Sequence, residues 1–107
     1  MSWRVEVLDD VVAAEIGALP ADVRASLARI VERIEAVGLQ RLGEPHVKHL
    51  EGKLWEMRPH GRQVIGRALY VTTIGQRVVI ILAFIKKTEK TPRRVIELAL
   101  ARAKMLR

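Results

Sequence analysis

The chain contains no cysteine, which removes disulfides, thiolate catalysis and cysteine-type zinc sites together. Aromatic residues are almost as scarce: two Trp, one Tyr and one Phe in 107 residues. The core must therefore be aliphatic, and little aromatic surface is left for stacking bases. Three scattered histidines, His46, His49 and His60, form no convincing metal cage; the His46/His49 pair at i, i+3 lacks a nearby carboxylate. Gly-rich phosphate loops, HExxH and GxSxG are all missing. No metal or cofactor is expected. The longest apolar run, 78–85, is eight residues, far short of the roughly 20 a membrane-spanning helix needs. The N-terminus has no apolar segment behind a basic start. A cytoplasmic protein without a membrane partner is the expectation.

What the chain does have is positive charge, unevenly placed. Residues 1–52 carry six Lys/Arg against nine Asp/Glu, whereas residues 53–107 carry thirteen against three. Solubility alone does not call for such segregation, and a cationic half of this density suits a polyanion. The length allows one domain over 1–107 with a single modest core.

Periodicity divides the chain into alternating element types. Residues 3–8 alternate as a strand. Asp9 and Asp10 can cap a short helix to about Ala18. After Pro20, Val23, Leu27, Ile30, Val31, Ile34 and Val37 form the stripe of an amphipathic helix that stops at Gly38. Residues 39–52, with Gly43, Pro45 and Gly52, read as a connecting loop that brings Lys48 and His49 to the rim of a site. Strand-like runs follow at 54–58, 64–72 and 77–86, joined by the turns Pro59-His60-Gly61 and Thr73-Ile74-Gly75-Gln76, which implies an antiparallel meander. The last run is apolar on both faces and should lie centrally. Thr91 as N-cap and Pro92 at the first helical position open a final helix. The expected fold is α+β, in the order β-α-α-β-β-β-α, with a mainly antiparallel sheet and two N-terminal helices on one face.

On this frame the cations gather at strand ends. Arg58 closes one strand, with His60 and Arg62 in the turn behind it. Arg67 lies inside the next strand, in period two with Ile65, Leu69 and Val71. Lys86 and Lys87 end the central strand, and Lys90, Arg93 and Arg94 surround the start of the last helix, whose dipole also favours anions. A buried Arg67 costs desolvation energy unless paired; Glu56 and Glu89 are the nearby carboxylates for a structural ion pair, and a phosphate is the functional alternative. Such a set can promote attack of an RNA 2′-hydroxyl on its adjacent phosphorus. Arginine stabilises the developing phosphoryl charge, and a lysine crowded by cations, as Lys86 is by Lys87, serves as base.

Three segments resemble a known family. Residues 48–58, Lys48-His49-Leu50-Glu51-Gly52-Lys53-Leu54-Trp55-Glu56-Met57-Arg58, resemble the L-W-E-L-R strand of HigB-type toxins. Gly66-Arg67-Ala68-Leu69-Tyr70 resembles the Y-R-x-x-Y strand of the RelE superfamily. Ala83-Phe84-Ile85-Lys86-Lys87-Thr88-Glu89-Lys90-Thr91-Pro92, followed by Ile96-Glu97-Leu98-Ala99, resembles the HigB-type F-x-K-K-t-x-k-T-P element. The resemblance implies a RelE-like fold and a type II toxin that cleaves mRNA on the ribosome. Its expected partner is a cognate helix-turn-helix antitoxin of the HigA kind, in an oligomeric complex. By matched position Arg58, Arg67 and Lys87 are the active-site cations, with Lys86 and Lys53 next. Lys48, Lys53, His60, Arg62, Lys90, Arg93 and Arg94 are expected to contact RNA. The chain departs from the RelE pattern in the last helix, where Arg93-Arg94-Val95 offers no tyrosine. Three rivals stay open: a ParE-like toxin that poisons gyrase on the same fold, a non-catalytic basic nucleic-acid-binding module, and a degenerate toxin that only binds its antitoxin.

Overall fold

The computed structural model describes residues 2–106. Strand β1 (Arg4–Val7) leads into α1 (Asp10–Gly17), whose first turn is capped by Asp9 Oδ1 accepting the Val12 N–H at 3.1 Å. Helix α2 (Ala21–Val37) buries Val23, Leu27, Ile30 and Ile34, and ends where Gly38 takes a φ of +92°. A 3-10 turn at Leu39–Arg41 precedes the hairpin of β2 (Val47–Glu51) and β3 (Leu54–Met57). Strands β4 (Ile65–Thr73) and β5 (Arg77–Lys86) form the longest hairpin, and α3 (Arg93–Ala103) closes the chain. The five strands form one sheet in the order β1-β5-β4-β3-β2. Only β1 and β5 run parallel; every other pair is antiparallel. This is the α+β arrangement expected, with β5 held between β1 and β4.

Side-chain alternation along the strands builds two cores, one on each face. Val12, Val23, Leu27 and Ile34 from α1 and α2 pack on Met57, Ala68, Tyr70, Val78 and Ile80. On the other face Ile96 and Ala99 of α3 pack on Leu54, Leu69, Val71, Val79 and Ile81. Each fully buried aliphatic side chain stabilises the fold by about 1.5–3 kcal/mol. The register slips once between β4 and β5: Leu69 faces Leu82, while Tyr70 faces Ile80. Ile81 is the extra residue of this bulge. As a result Ile81 and Leu82 both face α3, and the alternation beyond them is reset. That reset puts Phe84, and hence Lys86, on the α3 face beside Arg67.

Two local expectations change. The segment read as a loop over 39–52 contains β2; as a short edge strand it buries Val47 alone and exposes Lys48 and His49, so it carries no apolar pattern to announce it. Thr91 does not cap α3. Pro92 holds the cap position with no side-chain hydrogen bond, and the Thr91 hydroxyl donates instead to Glu56 Oε2 at 3.5 Å.

Gly66 lets β4 pass close to α2. A Cβ there would sit 2.6 Å from Val23 Cγ1 and 3.3 Å from Pro59 Cγ, so overpacking should follow. We expect Gly66→Ala to lower stability by about 1–3 kcal/mol, read as a reduced urea midpoint.

Candidate nucleic-acid interface

Glu56 and Arg67 are buried charges on the α3 face of the sheet, 5% and 3% exposed. Glu56 stands opposite Leu69 across β3 and β4, which makes Arg67 its diagonal neighbour on the same face. Glu56 Oε1 lies 3.5 Å from Arg67 Nε and 3.6 Å from Arg58 Nε. One carboxylate therefore serves two guanidiniums. Arg58 reaches a second acid, Glu44, only at 3.9 Å. Burial is the main influence on Arg67 and pushes its pKa below the ordinary guanidinium value; Glu56 acts in the opposite direction, and Arg58 reinforces the lowering. Arg67 still remains charged at neutral pH.

The contacts around Glu56 are longer than the 2.7–2.9 Å or so of strong charge-assisted bonds. Each guanidinium has five N–H donors. Arg67 commits Nη1 to Gly66 O at 2.8 Å and leans on Glu56 through Nε. The pair is thus compensated enough to be buried, yet donors are left for an incoming anion. Above it opens a cleft of about 230 Å³ whose walls include Lys48, Arg58, Arg67, Lys86 and Lys90. Glu56 and Glu89 are its carboxylates, and Ile96 of α3 forms part of the wall. Lys48 arrives from β2 because it pairs with Glu56 across the hairpin, and Lys86 because it stands opposite Ile65 at the end of β5.

The remaining cations divide. Lys87 and Arg94 lie in a neighbouring groove of about 290 Å³, bordered also by Lys86, Lys90 and Phe84. Lys87 therefore does not join Arg58 and Arg67 in one cleft. It follows Lys86, and one residue past the strand end carries it into the next groove. Arg93 is not free either: Glu51 holds its Nη1 and Nη2 at 2.6 and 2.8 Å, and Glu97 lies 3.5 Å from its Nε. This bidentate bond raises the Arg93 pKa and lowers that of Glu51. Lys53 sits at the opposite end of the sheet with Thr72, Thr73 and Arg77, because the β2–β3 turn lies a full strand length from Lys86. His60 and Arg62 are exposed, with their backbone N–H groups donating to Ser26 Oγ at 3.0 Å and Asp22 Oδ2 at 2.7 Å. The turn is thereby tied to α2 on the other face.

Acids from the first half of the chain account for much of the charge segregation. Glu6 binds Arg77 and Glu15 binds Arg102, both at 2.8 Å. Among the described residues Lys86, Lys87, Lys90 and Arg94 have no carboxylate within 4.0 Å, and the four stand together where β5 meets α3. No three His, Asp or Glu side chains come together as a metal site among the described residues. His49 instead donates Nε2–H to Gly52 O at 2.8 Å and meets Trp55 edge-on. No helix among the described residues is long and apolar enough to cross a membrane.

Residues 14–104 match the family described as "Phage derived protein Gp49-like (DUF891)". The chain belongs to this family. The Gp49-like family is a family of the RelE/HigB toxin type. No curated protein matches the chain. Among solved structures it is similar to a chain of the archaeal RelE–RelB complex from Pyrococcus horikoshii OT3, at 22% identity and a TM-score of 0.55, over 78% of this chain and 93% of that one. At that identity the likeness establishes a RelE-like fold.

Glu56 is the member of this Gp49-like site that reasoning from charge undervalued, as a mere alternative partner for Arg67. Its position in the run Leu54-Trp55-Glu56-Met57-Arg58, between apolar neighbours and two residues from Arg58, was the available signal. We expect Glu56→Gln to cost about 3–5 kcal/mol, because it strands two neighbouring guanidiniums without their shared counter-charge. The measurement is equilibrium denaturation, with circular dichroism to confirm the native fold.

Proposed function

We propose that this Gp49-like chain is the toxin of a toxin–antitoxin pair and an endoribonuclease acting on mRNA in the ribosome. The observation that carries the reading is the cleft in which Arg58, Arg67, Lys48, Lys86 and Lys90 surround one buried shared carboxylate. In the reaction the substrate's 2′-oxygen bonds to the adjacent phosphorus as the bond to the 5′-oxygen breaks. The products are a 2′,3′-cyclic phosphate and a 5′-hydroxyl. Arg67 and Arg58 are assigned to the charge of the pentacoordinate phosphorane, where a planar donor fork serves best. Lys86, half-buried at the strand end, is assigned to proton transfer. Lys48 and Lys90 hold the flanking phosphates, and Lys87 and Arg94 extend the path along the next groove.

The partner proposed is a HigA-like helix-turn-helix antitoxin that covers the same cations with acidic residues in an oligomeric complex. The match to a chain from a RelE–RelB complex supports a proteinaceous inhibitor of some kind.

Induced alone, the chain should arrest growth and leave cuts in reading-frame register when translated mRNA is probed by primer extension. Arg67→Lys, which keeps the charge but loses the fork, and Lys86→Ala should each slow cleavage about 10²-fold or more. Lys53→Ala, at the far end of the sheet, should cut at the parental rate. Damaged DNA with intact mRNA would instead assign the chain to gyrase poisoning. Arg67→Ala is a poorer test, since it also leaves Glu56 short of a buried partner.

A further inference from the structure

A pocket roomier than the cationic cleft borders the other face of the sheet. On the face that carries α2, a cavity of about 410 Å³ opens between the 3-10 turn and strands β3 and β4. Trp3, Gln40, Val47, Trp55, Tyr70 and Thr72 are among its walls, and among the described residues no Lys, Arg, Asp or Glu is. Both tryptophans of the chain stand here. Trp55 is 38% exposed and is steadied by the His49 ring, edge-on at a centroid distance of 5.0 Å. Trp3 is backed by Gly38, where an added Cβ would meet its Cδ1 and Nε1 at 3.4 Å. Tyr70, only 1% exposed, is a wall of this pocket, and its buried hydroxyl has no hydrogen-bond partner among the described residues. Burial pushes the Tyr70 pKa upward, so the group stays a neutral O–H able to donate. Buried hydroxyls are normally partnered, and an unpartnered one on a residue that walls an open cavity calls for an explanation.

We propose that this pocket binds one nucleobase, stacked against the indoles, with an acceptor on its edge taking the Tyr70 hydroxyl. Planar rings suit the two tryptophan walls; the absence of charged walls among the described residues suits an uncharged ring; the Thr72 and Gln40 side chains add polar groups for an edge. Trp55 and Glu56 are consecutive in β3 and face opposite sides, so the pocket lies across the edge strand β2 from the cationic cleft. A strand held in that cleft reaches the pocket by passing over β2. Only this last connection rests on the nuclease reading; a nucleoside without phosphate tests the pocket independently of it.

The test is titration of the purified chain with adenosine, guanosine, cytidine and uridine, followed by tryptophan fluorescence, since both emitters border the pocket. Saturable quenching by at least one nucleoside is expected. Tyr70→Phe should weaken it by about fivefold or more, while the thermal midpoint holds or rises because the deleted hydroxyl had no partner. Absence of saturable quenching, or a Tyr70→Phe variant that binds as tightly as the parent, overturns the proposal. A 2′-O-methyl trinucleotide separates two sources of the base. Tighter binding than the nucleoside, reversed by Lys48→Ala, assigns it to an RNA strand; equal binding assigns it to a free nucleoside.

Discussion

Two guanidiniums, one of them buried, share a single buried carboxylate at the end of the sheet, and the working half of the molecule is arranged about them. An arginine as enclosed as Arg67 cannot be held without compensation, because taking a charge out of water costs several kcal/mol. Glu56 supplies that compensation, and Arg58 draws on the same carboxylate. The triad keeps one net positive charge and spare N–H donors, which is the condition for attracting a phosphate. Had a second carboxylate been buried beside them, the two guanidiniums would bring no net charge to the cleft.

The surrounding fold serves this position in specific ways. The β5 bulge at Ile81 resets the alternation so that Lys86 comes out on the face of Arg67. The hairpin register places Lys48 beside Glu56. Thr91 gives up a capping role and turns its hydroxyl to Glu56, while the Glu51–Arg93 pair ties the start of α3 to the end of β2. Helix α3 therefore both covers one core and holds the Lys86–Lys90 segment over the cleft.

The distribution of scarce residues is as telling as that of the abundant ones. With only two tryptophans in the chain, stacking surface looked negligible from composition. Yet chain folding brings Trp3, next to the N-terminus, and Trp55 of β3 to the walls of a single cavity. The acids of the first half show the same effect in reverse. Glu6, Glu15 and Glu51 neutralise Arg77, Arg102 and Arg93, while Lys86, Lys87, Lys90 and Arg94 stand together without an acid partner among the described residues.

The residues alone determined the two N-terminal helices, the meander and the central position of β5, because apolar periodicity and turn residues are local signals with a fixed geometric meaning. They also marked Arg67 as a charge needing a partner, since a strand's period of two puts it on the face of Leu69. Tertiary structure decided the rest. Strand β2 has no apolar alternation and exists because β3 offers it an edge. Lys87, Lys53 and Arg93 share composition and neighbourhood with Lys86, Lys48 and Arg58, yet they end in another groove, at the far end of the sheet, and in a closed ion pair. Which cations stay free depends on strand register, a bulge and acids up to about ninety residues away in the chain, and no local pattern encodes those distances.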